Sequence, residues 1–103
     1  MIRVSVMYPN APAARFDWNY YLDKHMVVVH QMLDPVGLVR AEVDKGLGTA
    51  QPGSPAPFVA ACHMYFRSME DMQRCMSRGP EMMSDIPNFT DSQPQIQISE
   101  VVQ

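Results

Sequence analysis

The sequence predicts an α+β domain in the order βαββαβ, a four-stranded antiparallel sheet with helices on one face. Three observations lead there: four stretches whose apolar residues alternate or run together as strands do, two whose apolar residues repeat at helical intervals, and Gly/Pro-rich breaks between them. With 103 residues, the chain makes one domain, 1–103. A domain of this size buries somewhat more than ~60% of the surface its unfolded form exposes.

Residues 2–8 alternate Ile2, Val4, Val6 and Tyr8 against Arg3, Ser5 and Met7, a first strand that stops at Pro9 and Pro12. From Asp17 the period changes. At about 100° per residue, Trp18, Tyr21, Leu22, His25, Val28, Val29, Met32 and Leu33 share one arc, opposite Asn19, Asp23, Lys24, His30 and Gln31. Asp17 is the expected N-cap, and Pro35 ends the helix because it disfavours a helical residue before it. Residues 38–46 set Val39, Ala41 and Val43 against Arg40, Glu42 and Asp44, a half-buried strand. A loop over residues 46–57 follows, marked by its Gly, Pro and Ser content.

The run from Phe58 to Phe66 is apolar on nearly every residue, as expected of an interior strand covered on both faces. Ser68 with Asp71 three residues on has capping-box spacing, and Met69, Met72, Cys75 and Met76 repeat at helical intervals until Gly79 and Pro80. Pro80 can start a short turn through Glu81–Asp85, and Ile96 and Ile98 alternate in a last strand. Two helices cover only one face of such a sheet. A second copy is the economical cover for the other, which predicts a homodimer with sheet packed on sheet.

Eight basic against eleven acidic residues, net −3, provide no field for nucleic acid. No apolar run approaches the ~20 residues a membrane helix requires, and the start of the chain reads as a strand rather than a signal peptide. Two cysteines, Cys62 and Cys75, suit reduced thiols, so the expected location is cytoplasmic. Ten methionines fit either ordinary core filling or an adaptable apolar pocket.

The residues FDWNYYLDKHM after a first strand, EVDKGLG on the second and DIPNFTDSQPQIQIS before the last resemble the EthD family, named for ethyl tert-butyl ether degradation. The resemblance spans nearly the whole chain. It implies a ferredoxin-like monomer pairing into a dimeric α+β barrel, a fold group that includes isomerases, quinone-forming monooxygenases and haem binders. Members are commonly called EthD-like proteins or reductases, and Tyr20, Tyr21 and His25 match. Where the family tends to carry proline two residues after the histidine, this chain has Val27, so the helix need not kink there.

His25, near the centre of the apolar arc, is the leading candidate for acid–base chemistry, with Tyr21 four residues earlier on the same face. The competing reading is a buried histidine satisfied by a backbone carbonyl or a tyrosine hydroxyl. Trp18, Met32, Met64, Tyr65 and Phe89 fit the walls of an apolar pocket or plain core. Tyr20 and His30 fall on the polar side of the wheel, and Asp85 and Asn88 read as turn residues or as caps of the pocket mouth. Cys62 and His63 point to opposite faces, so at most one shares the space of His25.

Other chemistries lack their patterns. Gly46 and Gly48 have Gln51 where a dinucleotide fingerprint needs glycine, and His25 and His30 lie about 140° apart on the helix, which is no metal spacing. The chain therefore reads as an EthD-like pocket protein without cofactor. Its expected role is a small enzyme acting through His25 on an aromatic or ring-ketone metabolite in a degradation or oxidoreductase pathway. The alternatives are a non-catalytic accessory dimer that holds such a molecule, and haem binding through His25.

Overall fold

The strands pair as one antiparallel sheet of order β2-β3-β1-β4, where β1 is Ile2–Pro9, β2 Leu38–Lys45, β3 Phe58–Phe66 and β4 Gln95–Glu100. The structure is a computed structural model and describes residues 1–12 and 14–103. The two most continuously apolar strands, β1 and β3, take the centre. Register sets Val4 opposite Met64 and Ile98, and Val6 opposite Cys62 and Ile96. Paired residues share a face, so the apolar half of each alternation turns to the same side. A bulge between Leu38 and Arg40 keeps Leu38, Ala41 and Val43 on that side as well.

The helices lie over this apolar face. The first is composite: α1 (Trp18–Tyr20), a π-helical turn (Tyr21–His25) and α2 (Met26–Leu33), capped where Asp17 Oδ1 accepts from the Tyr20 N–H at 3.0 Å. The π turn closes where the Met26 N–H donates to the Tyr21 carbonyl, five residues back. Because that turn is wider than an α turn, the buried stripe rotates. Met26 joins Tyr21, His25, Val29 and Leu33 inside, whereas Leu22 and Val28, expected on the apolar arc, are 48% and 44% exposed. The backbone thus departs from α geometry with Val27 in place of proline.

A left-handed Gly37 (φ 131°) turns the chain from the 3-10 turn Asp34–Val36 into β2. A side chain there would press on Asp71 Cβ, 3.2 Å away. Helix α3 (Met69–Met76) packs over β1, β2 and β3 with Met72 and Cys75 buried. Ser68 Oγ accepts from the Asp71 N–H at 3.1 Å, but the Asp71 carboxylate accepts from Arg74 at 2.9 Å rather than closing a capping box. The stretch expected as a short turn forms α4 (Gly79–Met83) and a 3-10 turn, Ile86–Asn88. No helix among the described residues is long and apolar enough to cross a membrane.

Alternation along β3 sends Ala60, Cys62, Met64 and Phe66 to the helices and Ala61, His63 and Tyr65 to the opposite face. Cys62 therefore joins the core beneath the helix, and His63 does not. The outward face is polar where the sequence predicts apolar cover. Ser5 Oγ meets His63 Nδ1 at 2.8 Å, His63 Nε2 meets Asp44 at 3.0 Å, and the Tyr65 hydroxyl donates to Glu42 at 3.0 Å. The Arg40 guanidinium lies 4.0 Å from the Tyr65 ring centre.

Replacing Ser68 with Ala removes the acceptor that satisfies the start of α3. The expected cost is about 1 kcal/mol of unfolding free energy, seen as a lower denaturant midpoint at unchanged slope.

Candidate functional site

Aromatic packing assembles the site. Phe89 is fully buried, with ring centres 5.0 Å from Tyr21, 5.5 Å from Phe16 and 5.7 Å from Tyr8, each tilted toward edge-on contact. The backbone follows: the Asp17 N–H donates to the Phe89 carbonyl at 2.7 Å, and the Thr90 hydroxyl donates to the Arg15 carbonyl at 2.6 Å. Residues 85–90 are thereby fastened to the start of the first helix. Asp85 arrives beside His25, sixty residues away in sequence.

His25 Nδ1 lies 2.9 Å from Asp85 Oδ2, while Asp85 Oδ1 accepts from the Tyr20 hydroxyl at 2.6 Å and from Asn88 Nδ2 at 2.8 Å. Partial burial works to raise the Asp85 pKa, but the hydrogen bonds from Tyr20, Asn88 and His25 outweigh it and hold the carboxyl below its ordinary 3.8. An ionised carboxylate only accepts, so in the neutral ring the hydrogen sits on Nδ1 and the lone pair on Nε2. Nε2 makes no hydrogen bond among the described residues. The ring is 7% exposed, stacked on Tyr21 at 5.5 Å and backed by Phe89 at 4.7 Å.

A cavity of about 300 Å³ lies between helix and sheet. Val4, Val6, Tyr8, Cys62 and Met64 form its floor, Tyr21, His25, Met26 and Val29 one wall, and Met76, Pro80, Met82, Met83, Ile86 and Ile96 the others. His25 also borders a polar recess of about 280 Å³ that includes Tyr20, Lys24, Glu81, Ser84, Asp85 and Asn88. His25 and Met82 thus stand between an apolar chamber and a more polar one. The Tyr21 hydroxyl, in a fully buried residue on the apolar side, has no hydrogen-bond partner among the described residues; the Cys62 thiol lies near it without hydrogen-bond geometry. Burial pushes the Tyr21 pKa far up and the Cys62 thiol to about 11, so both keep their protons at neutral pH.

Of the residues singled out from the sequence, the structure brings His25, Tyr21 and Met64 to one cavity. Tyr65 is not there: as the neighbour of Met64 in a strand it must face the other way. Phe89 stands behind His25 rather than in the cavity wall. Trp18 packs on Phe16 at 4.7 Å, at the outer end of the aromatic cluster, and Met32 packs against the core beyond the cavity. Asp85 and Asn88, read chiefly as turn residues, and Tyr20, placed on the polar side of the wheel, instead form the polar clamp on His25. The available signal was His25 itself, since a buried imidazole needs a partner for a ring nitrogen. His30 pairs with Asp34 at 3.0 Å on the exposed end of the helix.

Two substitutions test this geometry. The folded Asp85 holds its proton less readily than the unfolded one, so the stabilisation is complete above pH 3.8 and is lost as pH falls through the lower folded value. Asp85→Asn is accordingly less stable than the parent at neutral pH, and urea unfolding followed downward from about pH 5 shows the difference narrowing. Tyr21→Phe deletes a hydroxyl that is buried without a partner. The unliganded variant gains about 1 kcal/mol, read as a raised urea midpoint; a loss of similar size contradicts the orphan assignment.

The EthD domain family matches residues 13–93. A crystal structure of an EthD-like protein from Ralstonia eutropha JMP134 is 43% identical with a TM-score of 0.90, covering 99% of this chain and 92% of its own. An EthD family protein from Bacillus halodurans C-125 is 19% identical, TM-score 0.69, with 99% of both chains covered. A dimeric ferredoxin-like protein from an uncultured marine organism shares the fold at 12% identity, TM-score 0.56, over 100% of this chain and 96% of that one. No curated protein matches. With most of its length inside the family and a close structural relative across nearly all of it, the ferredoxin-like α+β chain belongs to the EthD family.

Proposed function

We propose that this chain is a cofactor-independent catalyst of proton transfer on an aromatic or ring-ketone metabolite, with His25 as acid–base and Tyr21 as the group that holds the metabolite's oxygen. One observation carries the reading: His25 borders an apolar cavity while its Nδ1 is committed to an ionised carboxylate at 2.9 Å. That arrangement leaves Nε2 as the free base. A cavity of about 300 Å³ is roughly twice the ~150 Å³ that takes up benzene, room for one substituted ring.

In this mechanism Nε2 takes a proton from the carbon beside a ring carbonyl, and the Tyr21 hydroxyl donates to the oxygen where negative charge gathers. Asp85 stabilises the imidazolium, and Tyr20 and Asn88 keep Asp85 ionised. Return of the same proton to a different carbon completes an isomerisation with no change of oxidation state and no co-reactant. Acid–base assistance of this kind contributes ~10²–10⁴-fold, and a buried donor to the developing oxyanion ~10²–10³-fold.

The working unit in this proposal is a homodimer paired through the outward sheet face. Arg3 Nε is buried there without a partner, and Arg40, Glu42 and Asp44 put both signs of charge on one surface. A two-fold axis sets such a surface against its own complement. Cys62 and Cys75, buried and unpaired, suit a reducing, cytoplasmic setting.

The test is solvent exchange. Ring ketones, phenols and lactones incubated with the protein in deuterium oxide are followed by NMR for exchange and isomerisation at the carbons flanking the oxygen. His25→Gln is expected to lower the rate ~10²–10⁴-fold while light scattering still reports a dimer. Ligands that bind with neither exchange nor isomerisation overturn catalysis and leave the accessory, ligand-holding role.

A further inference from the structure

We infer that the metabolite carries an alkyl tail, and that this tail leaves the cavity across the helix-side face of β4, over Ile96 and Ile98. The inference rests on the site proposed above and adds its substrate class: a ring with a hydroxyl or carbonyl at one end and a saturated chain at the other.

The edge strand is patterned for it. Uncovered positions on a sheet edge are ordinarily polar or charged. In β4 the reverse holds on the helix side: Ile96 and Ile98 are 52% and 51% exposed, while Gln95, Gln97 and Ser99 alternate with them toward the other face. Ile96 stands opposite Val6 and Ile98 opposite Val4, and both valines belong to the cavity floor. Ile96 itself lines the cavity, and Met83, 43% exposed, lines it too. An apolar strip therefore runs without a polar break from the chamber beside His25 to the sheet edge.

A tail is the occupant this strip fits. The chamber's hydrogen-bonding groups are His25 and the unpartnered Tyr21 hydroxyl on the helix wall, with the Tyr8 hydroxyl and Cys62 thiol on the floor; none of them lies on β4, so the ligand's oxygen is held away from that edge. Whatever the ring cannot accommodate inside must leave along apolar surface. Ile96 and Ile98 are two residues apart on one strand, about 7 Å, the reach of a short chain of methylenes. Met76, Met82 and Met83 on the facing wall are the unbranched side chains that adjust to tails of different length.

The experiment measures dissociation constants of 4-alkylphenols, from methyl to heptyl, by calorimetry on the full chain, Ile98→Ser, and Leu22→Ser as an exposed-apolar control on another surface. Affinity is expected to rise about 2- to 4-fold per methylene once the chain passes the ring pocket, in line with burial of each CH₂ on one or both sides. Ile98→Ser flattens that rise for the longer phenols and leaves 4-methylphenol unchanged, and Leu22→Ser matches the parent throughout. If 4-methylphenol binds but affinity is indifferent to chain length, or rises equally in Ile98→Ser, the tail assignment falls and the proposed site stands. If Ile98→Ser instead dissociates the dimer, the partner covers the strip and the assignment falls. Failure of every phenol to bind overturns the site and the tail together.

Discussion

The insertion of Phe89 among Tyr8, Phe16, Tyr21 and His25 is the contact on which the rest of the site depends. The ring docks the segment after α4 against the start of the first helix, and two short backbone-directed hydrogen bonds, Asp17 to Phe89 and Thr90 to Arg15, hold the two strands of chain together there. Only with that segment in place does Asp85 reach His25. A buried imidazole without Asp85 would be an unsatisfied polar group in an apolar wall; with it, the ring has a fixed tautomer and a fixed orientation.

The same region carries the features least favourable to stability. The Tyr21 hydroxyl is buried without a partner, the helix widens into a π turn where it contributes both Tyr21 and His25, and an apolar cavity stands open in a small domain. Single π turns of this kind are frequent at functional sites. Here the widening sets Tyr21 and His25 as stacked rings, 5.5 Å apart and 17° from parallel, with Met26 behind them in the core. Empty volume and orphaned polar groups weaken a fold that gains nothing else from them. A cavity, a π turn and one orphaned hydroxyl adjoin a single histidine, the arrangement on which the proposed ligand site draws.

The two faces of the sheet divide the work. On the helix side, apolar side chains from all four strands make core and cavity floor. On the outward side, hydrogen bonds link β1, β2 and β3 laterally, from Ser5 through His63 to Asp44 and from Tyr65 to Glu42. Such a face has definite charge positions, which favour one register of pairing over others more than they add affinity. On the proposed reading, with a second copy packed on this outward face, chemistry and assembly are separated by one sheet thickness.

Periodicity by itself determined the element order, the faces of β1, the inward side of Ala41 and Val43 in β2 though not the bulge that brings Leu38 in place of Val39, the caps Asp17 and Ser68, and the burial of Tyr21 and His25, because these depend on neighbours within a few residues. The EthD resemblance was legible in the same way, as local stretches in the right order. Tertiary structure alone decided the partner of His25. Asp85, Tyr20 and Asn88 come from two ends of the chain, and nothing in the spacing around Asp85 distinguishes a turn aspartate from one aimed at an imidazole. It also decided that Tyr65 lies outside the cavity and Met26 inside: an unbroken apolar strand hides which parity faces the helices, and a wheel drawn at a uniform 100° cannot register a π turn. Short-range pattern records which residues are buried; which of them meet is set by the packing of segments distant in the chain.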